Sequence, residues 1–163
     1  MRIRSATVDD IPVLIDLIKR SFRDVAERFG LTKENCPTHP SFYTTDRMAS
    51  DFEKNIQYFL LENSRLLVGC AALETATSDT CYLERLGVLP AKRRNGYGTP
   101  LVEHVFAEAR SIGAKRISIG IIANDRKLKS WYSNIGFLEK ETKEFKHLPF
   151  LVTFMMYDLA NNQ

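Results

Sequence analysis

A glycine-containing turn between a strand pattern and a helix pattern constrains this chain more than any other stretch. An apolar run at residues 81–89 precedes the turn, and a helical pattern at residues 100–112 follows it. Between them lies the hexapeptide RRNGYG, residues 93–98. Gly96 and Gly98 carry no Cβ, so the backbone can turn tightly and approach a ligand closely. The sequence therefore predicts a strand, a tight turn and a helix in succession.

The same turn has the features of an anion site. The first amides of a helix have no partner within the helix, and the helix dipole adds partial positive charge at that end. Lys92, Arg93 and Arg94 add formal charge next to it. We expect a phosphate-bearing ligand here, and an ordinary strand-to-helix turn is the alternative interpretation.

Length and composition exclude several classes of protein. The chain has 163 residues, of which 44% are hydrophobic and 26% charged, so we expect one globular domain over residues 1–163. A net charge of +3 does not favour nucleic acid as a partner. No apolar run reaches the roughly 18 residues of a membrane span. Cys36, Cys70 and Cys81 are odd in number and widely spaced, which argues against a disulfide framework and a metal site. We expect a cytoplasmic protein.

Hydrophobic periodicity gives the order of the elements. The predicted strands are residues 3–7, 56–62, 65–74, 80–88, 115–123, 138–145 and 150–159; the predicted helices are residues 11–29, 45–55, 100–112 and a short helix that Asn124 or Asp125 caps and that carries Leu128, Trp131, Tyr132 and Ile135. Residues 31–43 contain two prolines and show no period, so they are predicted as a loop. This order predicts a mixed α/β sheet with helices on both faces.

Two segments resemble the GNAT superfamily of acetyl-CoA-dependent N-acetyltransferases. Residues 93–98, preceded by Val-Leu-Pro at 88–90, resemble its acyl-CoA pyrophosphate motif, and YSNIGF at 132–137 resembles its Tyr-x-x-x-Gly-Phe ending. The element order matches the GNAT fold across nearly the whole chain, which implies a mixed, mostly antiparallel sheet of about seven strands. Some members carry a Glu in the strand before the second motif, where this chain has Gly120.

The resemblance implies acetyl-CoA as cosubstrate, no metal, and an amine of a small molecule or peptide as acceptor. The main chain of Leu86 and Val88 is implied to bind the pantetheine arm. The implied pyrophosphate loop consists of Arg93, Arg94, Asn95, Gly96, Tyr97, Gly98 and Thr99. The family's Asn would fall on Asp125, whereas the Asn here is Asn124, so the side-chain contact to the arm comes from Asn124, Asp125 or neither. Lys127 and Lys129 either reach the adenosine phosphates or form a solvated helix face.

Tyr132 is the candidate general acid. Aminolysis of a thioester leaves a thiolate that takes a proton, and a tyrosine with a pKa of about 10 is protonated at neutral pH. Core packing is the alternative, because Leu128, Trp131 and Ile135 share its helical face. No cysteine lies in either motif to hold an acyl group, so direct transfer in a ternary complex is expected.

Glu84 is the candidate general base. A carboxylate inside an apolar strand is costly unless it is paired or functional. Adjacent strand residues point to opposite faces, so we do not expect Glu84 to pair with Arg85. A salt bridge elsewhere and an anchor for the substrate amine are alternatives, and attack through ordered water needs no base. Some GNAT members place a catalytic carboxylate on this strand, at the position that is Tyr82 here.

The loop at residues 31–43, with Asn35, His39 and Phe42, is expected to form one wall of the acceptor pocket. His147, between the last two strands, is a substrate contact, a second proton carrier or an ordinary loop histidine. A sensor that binds acyl-CoA without turnover, and an enzyme that acetylates protein lysines or N-termini, are the alternative functions. The resemblance also implies that a homodimer can form.

Overall fold

A computed structural model describes residues 1–161, and the strands and helices follow the predicted order. The elements are β1 (Arg2–Ser5), α1 (Ile11–Arg28), α2 (Thr45–Glu53), β2 (Gln57–Asn63), β3 (Leu66–Thr75), β4 (Thr80–Val88), α3 (Gly98–Ser111), β5 (Arg116–Ile122), α4 (Arg126–Ile135), β6 (Leu138–Lys143) and β7 (Val152–Asp158). Short 3-10 turns occupy Val8–Asp10, Pro40–Phe42 and Pro90–Lys92. None of the helices within residues 1–161 is long and apolar enough to cross a membrane.

The strands form one sheet in the order β1-β2-β3-β4-β5-β7-β6. Only β4 and β5 run parallel, and the other neighbouring strands pair antiparallel. The prediction of a mostly antiparallel seven-stranded sheet is confirmed. The single parallel pair lies in the middle of the sheet, next to the glycine turn.

Helices cover both faces of the sheet, as predicted. On β2, Phe59 and Leu61 pack into the core beneath α3, whereas Tyr58 and Leu60 pack into the core beneath α1 and α2. This alternation follows from the two-residue period of a strand. Each of these four side chains is at most 2% exposed, so β2 is buried on both faces.

The loop between α1 and α2 is predicted correctly as a segment without regular period, although it contains the 3-10 turn at Pro40–Phe42. Its residues Leu31 and Cys36 are buried, and they pack with Ile122 at the end of β5 and Phe150 before β7. The loop therefore spans from the first half of the sheet to the second half. It roofs the region in which β4 and β5 separate.

Candidate active site

The two parallel strands β4 and β5 pair over only part of their length. Cα partners are Thr80 with Arg116, Cys81 with Ile117, and Tyr82 with Ser118. Beyond Tyr82, β4 continues to Val88 without a partner on this side, and β5 pairs only with β7. The two strands therefore separate beyond Tyr82. This separation leaves a cleft in the sheet with unpaired β4 backbone on one side.

A bulge in β4 helps to open this cleft. Ala72 of β3 pairs with Glu84, but Cys70 pairs with Gly87, so β4 has an additional residue between these pairs. Arg85 lies in this segment with a φ of 49°, in the left-handed region. A bulge bends its strand and interrupts the alternation of side chains.

The bulge corrects one expectation about Glu84. Its Oε2 lies 2.7 Å from Nη1 of Arg85, so the two neighbours form an ion pair. The prediction that they would point to opposite faces was wrong, because it assumed a regular strand. No feature of the sequence indicates a bulge at this position.

The cleft holds a cavity of about 650 Å³ that reaches both faces of the sheet. Four of the predicted site residues line it: Glu84, Leu86, Asp125 and Tyr132. The loop wall is also present, through Thr38, His39 and Pro40. Gly120 lies on the floor, where a Cβ would approach Cγ1 of Val152 to 3.2 Å. His147 does not line the cavity; it is exposed and its ring lies 5.8 Å from that of Phe145.

The glycine turn places the start of α3 at one end of β4. Gly96 has a φ of 77°, a conformation that favours glycine. The Tyr97 side chain does not cap the helix; instead its hydroxyl accepts a hydrogen bond from Nδ2 of Asn63. The first-turn amides of α3 therefore have no side-chain acceptor in the described part of the chain. A Cβ on Gly98 would lie 2.9 Å from Cζ2 of Trp131, so only glycine fits there without displacement.

The predicted loop residues separate into braced and exposed groups. Arg93 is braced: its Nη1 lies 2.6 Å from Oδ2 of Asp24, and its Nε lies 3.1 Å from the carbonyl oxygen of Val88. The hydrogen bonds from Arg93 lower the pKa of Asp24. Asn95 donates to the carbonyl oxygens of Lys92 and Arg93.

Arg94 and Thr99 are exposed. The Arg94 side chain makes no hydrogen bond or ion pair with residues 1–161, so its charge is available at the loop. Thr99 borders a separate cavity of about 480 Å³ between α3 and α4.

At the start of α4, Asp125 is the cap. Its carboxylate accepts a hydrogen bond from the Leu128 amide at 3.2 Å and pairs with Nη2 of Arg28 at 3.0 Å. The first interaction caps α4, and the second links the start of α4 to the end of α1. The Asn124 side chain has no hydrogen-bond partner within residues 1–161, and Lys127 is exposed. Lys129 pairs with Glu139 at 3.3 Å on the outer surface, which favours the solvated face for this lysine.

Tyr132 combines a buried ring with an unpaired hydroxyl. The ring packs edge-on against Trp131 and Phe137, and the residue is 5% exposed. Burial raises the pKa of Tyr132, which keeps the phenol protonated at neutral pH. The hydroxyl has no hydrogen-bond partner among residues 1–161, and the residue lines the cavity. Core packing and proton donation are therefore compatible in this side chain.

Glu84 belongs to a buried polar network that sequence reasoning missed. Asp51 of α2 accepts hydrogen bonds from the hydroxyls of Tyr43 and Tyr58, the second at 2.7 Å. Arg85 donates to the Tyr58 hydroxyl at 2.5 Å and lies 3.4 Å from Asp51. These residues come from four different segments, so no local spacing reveals them; only an Asp on the buried face of α2 hints at the network.

The network determines the environment of Glu84. Burial raises the pKa of Glu84 above its ordinary range, the Arg85 charge lowers it, and the nearby Glu74 raises it again. A carboxylate with a raised pKa that faces a cavity is typical of a proton acceptor. Arg85, anchored by Asp51 and Tyr58, keeps the carboxylate in one orientation.

Comparison with protein families gives one match over most of the chain. A family model described as the acetyltransferase (GNAT) family matches residues 16–137. An amino-acid acetyltransferase of Neisseria meningitidis is 30% identical over 136 residues, which are 83% of this chain and 27% of that protein. The chain thus spans about a quarter of the length of the amino-acid acetyltransferases it matches. The N-acetyltransferase YjgM of Escherichia coli is 27% identical over 82% of this chain and 80% of its own length.

Solved structures show the same fold. The PaiA N-acetyltransferase of Thermoplasma acidophilum, determined in complex with coenzyme A, superposes with a TM-score of 0.78. The alignment covers 96% of this chain and 98% of that chain at 16% sequence identity. At this identity the likeness establishes the architecture of the sheet and helices.

Proposed function

Since the chain belongs to the GNAT family of acetyltransferases, we propose that it transfers an acetyl group from acetyl-CoA to the primary amine of a small molecule or peptide. The observation that carries the proposal is the cleft between β4 and β5. In this cleft the β4 edge without a strand partner leads to a glycine turn with uncapped helix amides, and Tyr132, with a free hydroxyl, lines the cavity. The proposal treats residues 1–163 as a single acetyltransferase domain.

The residues at the cleft fit acetyl-CoA. The uncapped amides at the start of α3, together with Arg94, suit the pyrophosphate. The β4 backbone at Leu86 and Val88, which has no strand partner on this side, suits the amide groups of the pantetheine arm. In this assignment Arg93 acts by bracing the loop, and Asn124, whose side chain is free, is the better candidate for a side-chain contact than Asp125.

The cosubstrate supplies the activated acetyl group as a thioester. The acceptor ammonium first releases one proton to solvent, and Glu84 takes the second proton from the attacking nitrogen. As the C–N bond forms and the C–S bond breaks, Tyr132 gives its proton to the departing sulfur. Proton transfer by way of water returns the proton to Tyr132. When the proton passes from Glu84 through water to Tyr132, Glu84 is ionised again and Tyr132 is protonated again, as its raised pKa favours.

The roof over the cleft favours a small or narrow acceptor. The contact of Leu31 and Cys36 with Phe150 closes one side of the cavity, which suits a pocket better than an open protein-binding groove. The three cysteines are free and buried, which is compatible with a reducing compartment, so the proposal includes a cytoplasmic location.

A thiol-release assay tests the proposal. The purified protein is incubated with acetyl-CoA and a panel of amino acids, polyamines, aminoglycosides and short peptides, while calorimetry measures acetyl-CoA binding. We expect binding together with release of coenzyme A for one class of amine. Tight binding without turnover across the panel would favour the sensor function, and absence of binding would contradict the assignment of the cleft.

A further inference from the structure

Arg47 of α2 is an ordered cation on the cavity wall that lacks a carboxylate partner within residues 1–161. Its Cζ lies 4.2 Å from the centre of the Tyr43 ring, and its Nη1 donates to the carbonyl oxygen of Thr38 at 2.5 Å. These two contacts fix the guanidinium but use only one of its N–H groups and leave its charge without a carboxylate partner. The remaining donors are available to a ligand.

His39 presents a second donor on the same wall. Its Nδ1 accepts a hydrogen bond from the Ser41 amide at 3.3 Å and lies 2.7 Å from the Ser41 hydroxyl. Because a backbone amide can only donate, Nδ1 is unprotonated and the ring proton lies on Nε2. Burial lowers the pKa of His39 to about 4, so the ring is neutral at pH 7. The Nε2–H has no acceptor among residues 1–161, and the atom is not sealed from solvent.

The other charged groups on the cavity wall are mostly compensated. Arg85 pairs with Glu84 and Asp51, Asp125 pairs with Arg28, and Lys143 pairs with Glu141. Within the described chain, Arg47 and Lys140 are the lining cations without an ion pair. Lys140 is an exposed residue of β6 with no contact that fixes its ammonium. Arg47 is therefore the preorganised positive site.

We propose that the acceptor carries a carboxylate as well as its amine, and that Arg47 and the Nε2–H of His39 bind this carboxylate. The inference rests on the proposed acetyltransferase function and specifies its substrate class. A guanidinium and a neutral N–H donor supply one positive charge, which matches a carboxylate; a phosphate monoester would leave a charge uncompensated. The carboxylate of Glu84, on β4 in the same cavity, receives the ammonium.

The remainder of the cavity wall indicates an acceptor with an apolar portion. Phe22, Val25, Phe150 and Val152 line it alongside Arg47 and His39. Amine, carboxylate and apolar side chain together describe an amino acid of low polarity. In this proposal the site selects the acceptor by the charge of its carboxylate at Arg47 and His39, and by the shape of its apolar side chain at the other lining residues.

The test compares each apolar L-amino acid with its carboxamide, for example leucine with leucinamide, as acceptor in the thiol-release assay. The amide keeps the amine and the side chain and removes the negative charge. We expect the wild-type protein to prefer the acid by about thirtyfold in kcat/KM, the size of a charge-assisted hydrogen bond. In Arg47→Met the acid and the amide should react within about threefold of each other.

Three variants separate this role from a structural one. Arg47→Lys keeps the charge but loses the planar fork, and should retain an intermediate preference for the acid. His39→Gln keeps a donor group and should also retain part of the preference for the acid. Lys140→Met removes the other unpaired cation and should leave the preference unchanged. Loss of the preference in Lys140→Met, with retention in Arg47→Met, would move the anion site to β6 and overturn the assignment.

The outcomes distinguish this inference from the proposed function. If the wild-type protein acetylates amides as well as acids, the inference is wrong and the acetyltransferase function stands. If no amine is acetylated, calorimetric titration of the coenzyme A complex with leucine, phenylalanine and methionine still tests the anion site. Binding that weakens about thirtyfold in Arg47→Met would support it, and equal or undetectable binding in both proteins would overturn it.

Discussion

The two ends of the cleft present different chemical groups to a ligand. The cofactor end uses backbone: uncapped helix amides, an unpaired strand edge and glycines. The acceptor end uses side chains: His39 and Arg47 on one wall and Glu84 on β4. Backbone recognition suits a cosubstrate that is the same for many reactions, whereas side chains can change with the acceptor. The family motif at residues 93–98 therefore describes only one end of the proposed site.

Tyr132→Phe should have the largest effect on activity, because Tyr132 lies where the two ends of the cleft meet. Loss of the general acid should lower kcat by about a hundredfold with little change in acetyl-CoA affinity. Steady-state kinetics and calorimetry give the two values. Tyr157→Phe, in the same aromatic cluster but outside the main cavity, is the matched control and should keep kcat. Equal activity in Tyr132→Phe would remove this residue as the acid.

At the acceptor end, Glu84→Gln should lower kcat by about thirtyfold at neutral pH. A base must be ionised, so the wild-type rate should fall as the pH drops through the raised pKa of Glu84, above the range of an ordinary carboxyl. This acidic limb should disappear in the variant. Glu141→Gln, another cavity carboxylate, is the control. An increase in KM at unchanged kcat would instead make Glu84 an anchor for the amine.

His39 gives a pH-dependent stability that the cofactor end lacks. Its pKa is about 4 in the folded protein and about 6.5 unfolded, so between these values the unfolded state binds more protons. Stability from this group is full above the unfolded pKa and falls as the pH drops. Denaturant titrations should show a loss of about 2 kcal/mol between about pH 7.5 and pH 5 that is absent in His39→Gln.

The exposed His147 provides the comparison for that measurement. His147→Gln serves as the control substitution, because its side chain is exposed in the loop before β7. An identical slope in the wild type and His39→Gln would mean that folding does not lower the pKa of His39.

The smallest expected effect concerns the cofactor end. Gly98→Ala places a Cβ within 2.9 Å of the Trp131 ring and should weaken acetyl-CoA binding by about tenfold by shifting the start of α3. Gly113→Ala, at the other end of the same helix, also strains a glycine, with a φ of 86°, and serves as the control. It should lower stability and keep the affinity. Unchanged affinity in Gly98→Ala would separate the helix start from the cofactor.

The sequence predicted the order of the strands and helices, because that order follows from periodicity. Residues 93–98 and 132–137 point to part of the proposed site, because glycine and tyrosine positions are local features. The bulge at Arg85 and the network of Asp51, Tyr43 and Tyr58 depend on contacts between distant segments. Arg47 was missed for the same reason, since an arginine on a short helix carries no sign of an unpaired charge in a cavity.

Amide hydrogen exchange with and without acetyl-CoA tests whether the cleft binds this cosubstrate, because the cofactor end is proposed to bind it through backbone groups. We predict increased protection at residues 83–88 of the unpaired β4 edge and at residues 96–101 around the start of α3, with little change in β1 to β3. Protection between α3 and α4, around the smaller cavity of Thr99 and Trp131, or no protection in β4, would contradict the assignment of the cleft.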